Sequence, residues 1–167
     1  MAASSDSLVF VTTTPDDSRA EPLIDELSRE YDARYEPNDG VPSSFELRRY
    51  PSALFTETEG GTFVLLLEDG VAIAGGAFIR VTESTAEIKR VWTSSRHRRR
   101  GLGRLVMAEL ERVAAARGYN HVELTTGARQ PEAVGLYLAL GYEPQFDLDG
   151  DLEAISYLRF TKGLTVS

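Results

Sequence analysis

The chain has 167 residues, 42% of them hydrophobic and 26% charged, which suits one domain with a substantial core. No apolar run approaches the ~20 residues of a membrane helix, and the absence of cysteine excludes disulfides, thiolate metal sites and a cysteine nucleophile. The formal charge is −8, yet arginines crowd between Arg96 and Arg104, so an acidic body carries one basic loop. That pattern argues against general nucleic-acid binding and for a local anion site.

Residues 1–6 lack the basic and apolar regions of a secretory leader, so a cytoplasmic address is expected. Leu8 to Thr12 is apolar and β-branched, a first strand. A helix follows, with Leu23, Ile24, Leu27, Tyr31 and Tyr35 at helical spacing. Its start is open: Ser18-x-x-Glu21 resembles a capping box, and Pro22 suits a first turn. Glu36 to Pro42 reads as loop, and Ser43 to Tyr50 as a short second helix closed by Pro51. Thr62 to Glu68 and Val71 to Val81 are strands joined at Asp69-Gly70, a hairpin signal. Gly75 and Gly76 inside the second of them predict a bulge or a close backbone approach.

Ala86 to Thr93 is the central strand. Alternation puts Glu87, Lys89, Val91 and Thr93 on one face and Ile88, Arg90 and Trp92 on the other. A basic turn leads to a helix opening at Gly101, with Leu102, Leu105, Val106, Leu110, Val113 and Ala114 as its apolar stripe. Arg117-Gly118 stops it. His121 to Thr126 is a strand, Pro131 sits at a helix N1, and that helix ends at Gly141. Two last strands are predicted near Glu143 to Phe146 and Leu152 to Thr161, turning at Asp149-Gly150. No linker or repeat divides the chain, so a single domain over residues 1–167 is expected, with one mixed sheet and helices on both faces.

The chemistry concentrates at the strand–turn–helix around Arg98-x-x-Gly101-x-Gly103. The first N–H groups of a helix have no partner within it and can point at an anion. Each N–H···O⁻ bond contributes about 1.5–3 kcal/mol, against roughly 0.3–2 kcal/mol for the macrodipole. The fan of amides, with Arg96, Arg98, Arg99, Arg100 and Arg104 beside it, reads as a polyphosphate clamp. It is no P-loop, because Arg104-Leu105 stands where Lys-Ser/Thr is needed, and no dinucleotide loop, because Val106 replaces the third glycine.

Arg98-x-x-Gly101-x-Gly103 instead resembles the coenzyme A pyrophosphate loop of the GCN5-related N-acetyltransferase (GNAT) superfamily. Gln130-Pro-Glu-Ala-Val-Gly-Leu-Tyr-Leu-Ala-Leu-Gly-Tyr142 is similar to that family's second signature, with Gln130 where many members have Asn. The resemblance covers nearly the whole chain. It implies an α/β fold with a largely antiparallel sheet of six to seven strands, about four helices and splayed central strands. It also implies acetyl-coenzyme A as cosubstrate, without a metal. Backbone groups of Val91 and Thr93, flanking Trp92, would bind the pantetheine arm; amides from Arg99 through Arg100, Gly101, Leu102 and Gly103 to Arg104 would bind the pyrophosphate. Gln130 and Ala133 complete the coenzyme side.

The implied reaction is attack of a primary amine, of a small molecule or a protein, on the thioester. A lysine-like amine (pKa ~10.4) costs about 4.6 kcal/mol to deprotonate at pH 7, so a base is useful. By position in the family Glu87 is the candidate base, and Tyr137, with an ordinary phenol pKa of ~10, the candidate donor to the thiolate. Read without the family, Glu87 is a solvated strand charge and Tyr137 a core tyrosine beside Leu136 and Leu140. A backbone N–H near Thr93 would polarise the carbonyl. Phe45, Tyr50, Phe55, Asp147, Asp149 and Asp151 are expected to line the acceptor side.

His97 and His121 lack metal-ligand spacing. Asp147-x-Asp149-x-Asp151 lacks the remaining residues of a calcium loop and reads as an acidic turn. The alternative function is a non-catalytic acyl-coenzyme A binder. An RNA-binding role for Arg96 to Arg104 is disfavoured, since only Trp92 offers stacking nearby. Neither nucleic acid nor membrane is expected as a partner, and a homodimer is left open.

Overall fold

The computed structural model describes residues 8–34, 51–127, 131–155 and 157–165. The helix expected over Ser43 to Tyr50 therefore lies outside the described residues. Strand β1 (Leu8–Thr12) leads through a 3-10 turn (Ser18–Ala20) into helix α1 (Glu21–Arg34). The capping box is not what starts it. Asp17 caps the 3-10 turn, its carboxylate accepting the Arg19 N–H at 2.9 Å, and Pro22 falls in the first turn of α1. Strands β2 (Thr62–Glu68) and β3 (Val71–Arg80) follow, joined through Asp69 and Gly70 with φ of 51° and 84°. Both turn residues are left-handed, as a tight hairpin between twisted strands requires.

Strand β4 (Thr85–Thr93) ends in a 3-10 turn (Ser95–His97), and helix α2 (Leu102–Ala116) begins after Gly101. Then come β5 (His121–Gly127), α3 (Pro131–Ala139), β6 (Glu143–Pro144), a four-residue helix α4 (Leu152–Ile155) and β7 (Tyr157–Gly163). The strand expected from Leu152 therefore begins later. Leu-Glu-Ala-Ile are adequate helix formers, and the Ala154 N–H closes a turn on the Asp151 carbonyl. The Asp147 carboxylate accepts the Asp149 N–H at 2.9 Å, so the acidic segment is an exposed Asx turn.

The seven strands form one sheet in the order β1-β2-β3-β4-β5-β7-β6, antiparallel throughout except for β4 against β5. Alternation along β2 sorts the core in two. Phe63, Leu65 and Leu67 join Leu23 and Leu27 of α1, whereas Val64 and Leu66 join Leu102, Val106, Met107 and Leu110 of α2. On α2, Met107 is buried and Leu105 is 44% exposed, so the stripe is narrower than the sequence suggests.

Strand β4 breaks the alternation. Gly75 pairs with Trp92 and Ala77 with Lys89, so β4 places Arg90 and Val91 opposite the single residue Gly76. This is a β-bulge, and Arg90 takes the left-handed conformation at φ 59°. The extra residue reverses the facing beyond it: Ala86 and Ile88 lie in the α2-side core, while Trp92 lies in the α1-side core. The expected grouping of Ile88, Arg90 and Trp92 on one face is therefore corrected. Room for the crossing comes from the paired glycines. A Cβ at Gly75 would stand 2.8 Å from the Val64 carbonyl oxygen, and one at Gly76 would stand 2.9 Å from Val106 and Leu110 methyls.

Candidate active site

β4 and β5 pair only at Thr85–His121, Ala86–Val122 and Glu87–Glu123. Beyond Glu87 no β4–β5 pairing is seen among the described residues, whereas β4 stays paired with β3 through a bulge to Thr93. Where a strand leaves its neighbour, the backbone groups that faced it take donors and acceptors from elsewhere. Val91 and Thr93, both half-buried, stand in this parted stretch. Beyond Thr93 the chain reaches α2 through the basic turn.

Two glycines shape the opening of α2 for different reasons. Gly101 has φ 75° with no atom within 4 Å of where a Cβ would sit, so its need is conformational. A Cβ on Gly103 would stand 3.2 Å from Leu136 Cδ2 and 3.9 Å from Thr93 Oγ1. Gly103 therefore marks where the end of β4, the first turn of α2 and α3 converge. Gly101 gives the helix no side-chain cap, and the first turn holds no acidic residue. The N–H groups of Leu102, Gly103 and Arg104 precede the first intrahelical bond, which runs from Leu105 to Gly101 at 3.2 Å. The Leu102 side chain is buried and anchors the turn in the core, while its amide belongs to the uncapped first turn.

The arginines divide. Arg98 donates to Glu30 Oε1 of α1, and Arg100 donates to both oxygens of Glu68 at 3.3 and 2.7 Å. These two guanidiniums turn back onto the body, contrary to the expectation that all five add donors to the anion. Arg96, Arg99 and Arg104 are exposed, with Arg99 at φ 67°. The Arg100 hydrogen bonds hold the Glu68 carboxyl below the ordinary glutamate range. His97 Nε2 lies 3.9 Å from the same carboxylate.

Trp92 is 3% exposed and its indole N–H donates to Glu26 Oε1 at 3.2 Å, so its side chain serves the core and α1. Glu87 is the last β4 residue paired with β5, and its carboxylate lies 3.5 Å from Lys89 Nζ. Glu123 opposite it is paired separately with Arg159 at 2.8 Å. Val122 and Leu124 belong to the α2-side core, so Glu123 lies on the other face of the sheet. Glu87 shares that face, alternating with buried Ala86 and Ile88.

Tyr137 is 7% exposed, its ring 5.9 Å from that of Tyr142 and 5.6 Å from that of Phe160. Ala133 packs half-buried against the same core. The Tyr142 N–H bonds the Tyr137 carbonyl at 3.0 Å and Gly141 has φ 88°, so the Tyr-x-x-x-Gly-Tyr spacing is also a helix stop. Tyr142 donates to Glu111 Oε2 at 2.8 Å, and burial, reinforced by that carboxylate, pushes its phenol well above the ordinary range. Phe55 is buried against Phe63 beneath the Arg90 guanidinium, which lies 4.8 Å from its ring centre. It is therefore core rather than open acceptor wall. Phe45, Tyr50 and Gln130 lie outside the described residues, and Asp147, Asp149 and Asp151 are exposed. His121 is exposed, with Nδ1 2.8 Å from the Asn120 side-chain oxygen.

The acetyltransferase (GNAT) family profile matches residues 21–142, from the start of α1 to the stop of α3. The chain belongs to the GNAT family. Among solved structures, a Klebsiella pneumoniae protein assigned as an acyl-CoA N-acyltransferase is similar at 23% identity and a TM-score of 0.72, covering 95% of this chain and 98% of that one. An acetyltransferase from Streptococcus agalactiae aligns at 17% identity and a TM-score of 0.70, covering 95% and 99%. A GNAT superfamily phosphinothricin acetyltransferase from Sinorhizobium meliloti, solved in complex with AcCoA, aligns at 18% and 0.63, covering 95% and 89%. At these identities the likeness is one of fold.

Sequence reasoning missed Glu26, Glu30 and Glu68, which hold the basic loop from outside. Their signal was present but diffuse: carboxylates one helical turn apart on α1, and one at the end of β2, in a chain whose basic charge is concentrated in a single turn.

Proposed function

We propose that this GNAT-family chain transfers the acetyl group of acetyl-coenzyme A to the nitrogen of a primary amine. The observation that carries the reading is the approach of two features: a strand end that has left its β5 neighbour and a helix start without a side-chain cap. The side of β4 turned toward β5 at Val91 and Thr93 leads, through the turn over residues 94–101, to the uncapped first turn of α2, where Gly103 lies close to Thr93. An extended arm bearing amides suits the first, and a diphosphate suits the second. Val91 and Thr93 would hold the arm through their backbone, and the amides from Arg99 to Arg104 the pyrophosphate, with Ala133 and Gln130 on the α3 side. The S. meliloti relative named above was solved with AcCoA, which supports the coenzyme.

In the reaction the amine nitrogen forms a bond to the thioester carbon, the carbon–sulfur bond breaks, and the amine's proton must leave as the thiolate gains one. Glu87, at the point where β4 and β5 part, is assigned as the proton acceptor, with Lys89 beside it. Tyr137 is assigned as the donor to sulfur; its ring packs against those of Tyr142 and Phe160. A backbone N–H near Thr93 would polarise the carbonyl.

A panel of primary amines assayed for release of free coenzyme A tests this. Turnover with at least one amine is expected, and Tyr137→Phe is expected to lower kcat about ten- to a hundredfold with KM for acetyl-coenzyme A nearly unchanged. Saturable coenzyme binding without turnover on any amine, together with no effect of Tyr137→Phe, would replace the enzyme with a coenzyme-sensing protein.

A further inference from the structure

The amides that face an anion work only if the turn carrying them is held in place. In this chain the holding groups come from α1. Glu26 is a three-bond acceptor: Oε1 takes the Trp92 indole N–H at 3.2 Å and the Ser95 backbone N–H at 2.7 Å, and Oε2 takes the Ser95 hydroxyl at 3.3 Å. One turn further along the helix, Glu30 takes the Arg98 guanidinium. The pair thus brackets the segment from the last residues of β4 to the entry of the phosphate turn. Inside that bracket Ser94 caps the 3-10 turn, accepting the Arg96 N–H, and its own N–H bonds the Ile73 carbonyl at 2.8 Å.

Two like charges four residues apart disfavour a helix by themselves. Here the turn supplies partners to both, through Trp92 and Ser95 for Glu26 and through Arg98 for Glu30. The arrangement also determines which amides remain available: Ser95 N–H is taken by Glu26, so the open donors begin further on, at the left-handed Arg99 and the first turn of α2.

We propose that Glu26 is a positioning residue for the coenzyme loop, fixing the β4 end and the 94–97 turn against α1, with Glu30 as its second tether through Arg98. The proposal rests on the acetyl-coenzyme A reading above. It also supplies its own reporter, because Trp92 is the only tryptophan in the chain and its indole is one of the bonded groups.

The experiment titrates the full chain with acetyl-coenzyme A while following tryptophan emission, and measures thermal stability and, where turnover exists, kcat and KM. Glu26→Ala is expected to alter the emission of the unliganded protein and weaken coenzyme affinity about tenfold, with kcat at saturation within about twofold. Glu26→Gln, which keeps a carbonyl to accept from Trp92 and Ser95, is expected to recover affinity to within about threefold of the parent. If Glu26→Ala does not fold, Glu26→Asp, with its charge kept and its reach shortened, is expected to show the same loss in smaller measure. A Glu26→Ala protein that melts earlier but binds coenzyme within twofold of the parent would overturn the proposal and leave a merely structural tie. An unmodified chain that binds no coenzyme would overturn the coenzyme reading and the proposal together, whereas normal binding insensitive to every Glu26 variant overturns the proposal alone.

Discussion

The two ends of α2 are finished in opposite ways. At the C-terminal end the carbonyls of Val113, Ala114 and Ala115 are taken by amides just beyond the helix, the first of them by Arg117 at 3.1 Å. The Gly118 N–H bonds the Ala115 carbonyl at 3.0 Å and the Tyr119 N–H bonds the Ala114 carbonyl at 3.0 Å, with Gly118 left-handed at φ 93°. Tyr119 and Ala114 share the same buried core, which completes a Schellman stop. At the N-terminal end Gly101 is equally left-handed but supplies no capping side chain, and no carboxylate lies in the first turn. Arg104 sits there instead, at the positive end of the helix dipole, an arrangement that opposes a cation by about 0.3–1 kcal/mol. One end is closed by the chain itself, while the other keeps amide donors and positive potential that favour an anion. The open end also faces the gap between β4 and β5, which is why it reads as a binding feature rather than as a loose terminus.

The sharpest way to break this comparison is to place charge at the open end. Gly103→Glu adds bulk 3.2 Å from Leu136 and a negative group among the donors. Acetyl-coenzyme A affinity is expected to fall at least a hundredfold, about 2.7 kcal/mol. Thermal stability should change little, because replacing a helical glycine gains up to about 1 kcal/mol against the local crowding. Calorimetric titration reads the first effect and thermal melting the second. Unchanged affinity would remove the phosphate from this turn.

The matching change at the closed end is Gly118→Ala. No atom lies within 4 Å of the added carbon, so only the left-handed backbone is tested. A cost of about 1–2 kcal/mol is expected, read as a melting temperature lowered by roughly 2–8 °C, with coenzyme affinity unaltered. A comparable loss of coenzyme affinity would show that the two ends are not independent and that the contrast drawn between them is false.

Much of this was legible because glycine marks where a helix or hairpin must turn. Gly70, Gly118 and Gly141 all adopt positive φ at the stops their sequence positions announce. The open clamp was legible for the same reason at Gly101. The β4 bulge was not, since one inserted residue inverts a period of two while leaving the strand's composition unchanged; its only trace was Gly75-Gly76 on the opposing strand. Nor could sequence tell which arginines face outward. Arg98 and Arg100 are chemically equivalent to Arg99 and Arg104, and only the fold brings Glu30 and Glu68 beneath the first pair. Within Leu152 to Thr161 the sequence does not separate α4 from β7, because a single turn of helix carries too few residues to show its own period.

The smallest effect concerns Glu68, and its sign can be worked out in advance. Arg100 holds the folded Glu68 carboxyl below its ordinary value of 4.5, with a further contribution from His97. A group made more acidic by folding contributes stability above its unfolded pKa and loses it as pH falls through the lower folded value. The Arg100 tether should therefore be fully present from pH 8 down to about 5 and fail only below the ordinary glutamate range. Glu68→Gln removes the charge at every pH. Two consequences oppose each other: the turn loses a fixed guanidinium, yet the site loses a nearby negative charge that works against a phosphate. At neutral pH the ratio of coenzyme affinities, parent to variant, should lie within about threefold, screened further by added salt. Taking the ratio cancels the ligand's own titration. It should stay level from pH 8 to 5 and move toward unity below that, as the parent's carboxyl becomes neutral too. A ratio that changes instead between pH 7 and 5, and does so equally when both proteins also carry His97→Gln, would mean that Glu68 is not held acidic by Arg100. The open end of α2 would then be tethered by Glu26 and Glu30 alone.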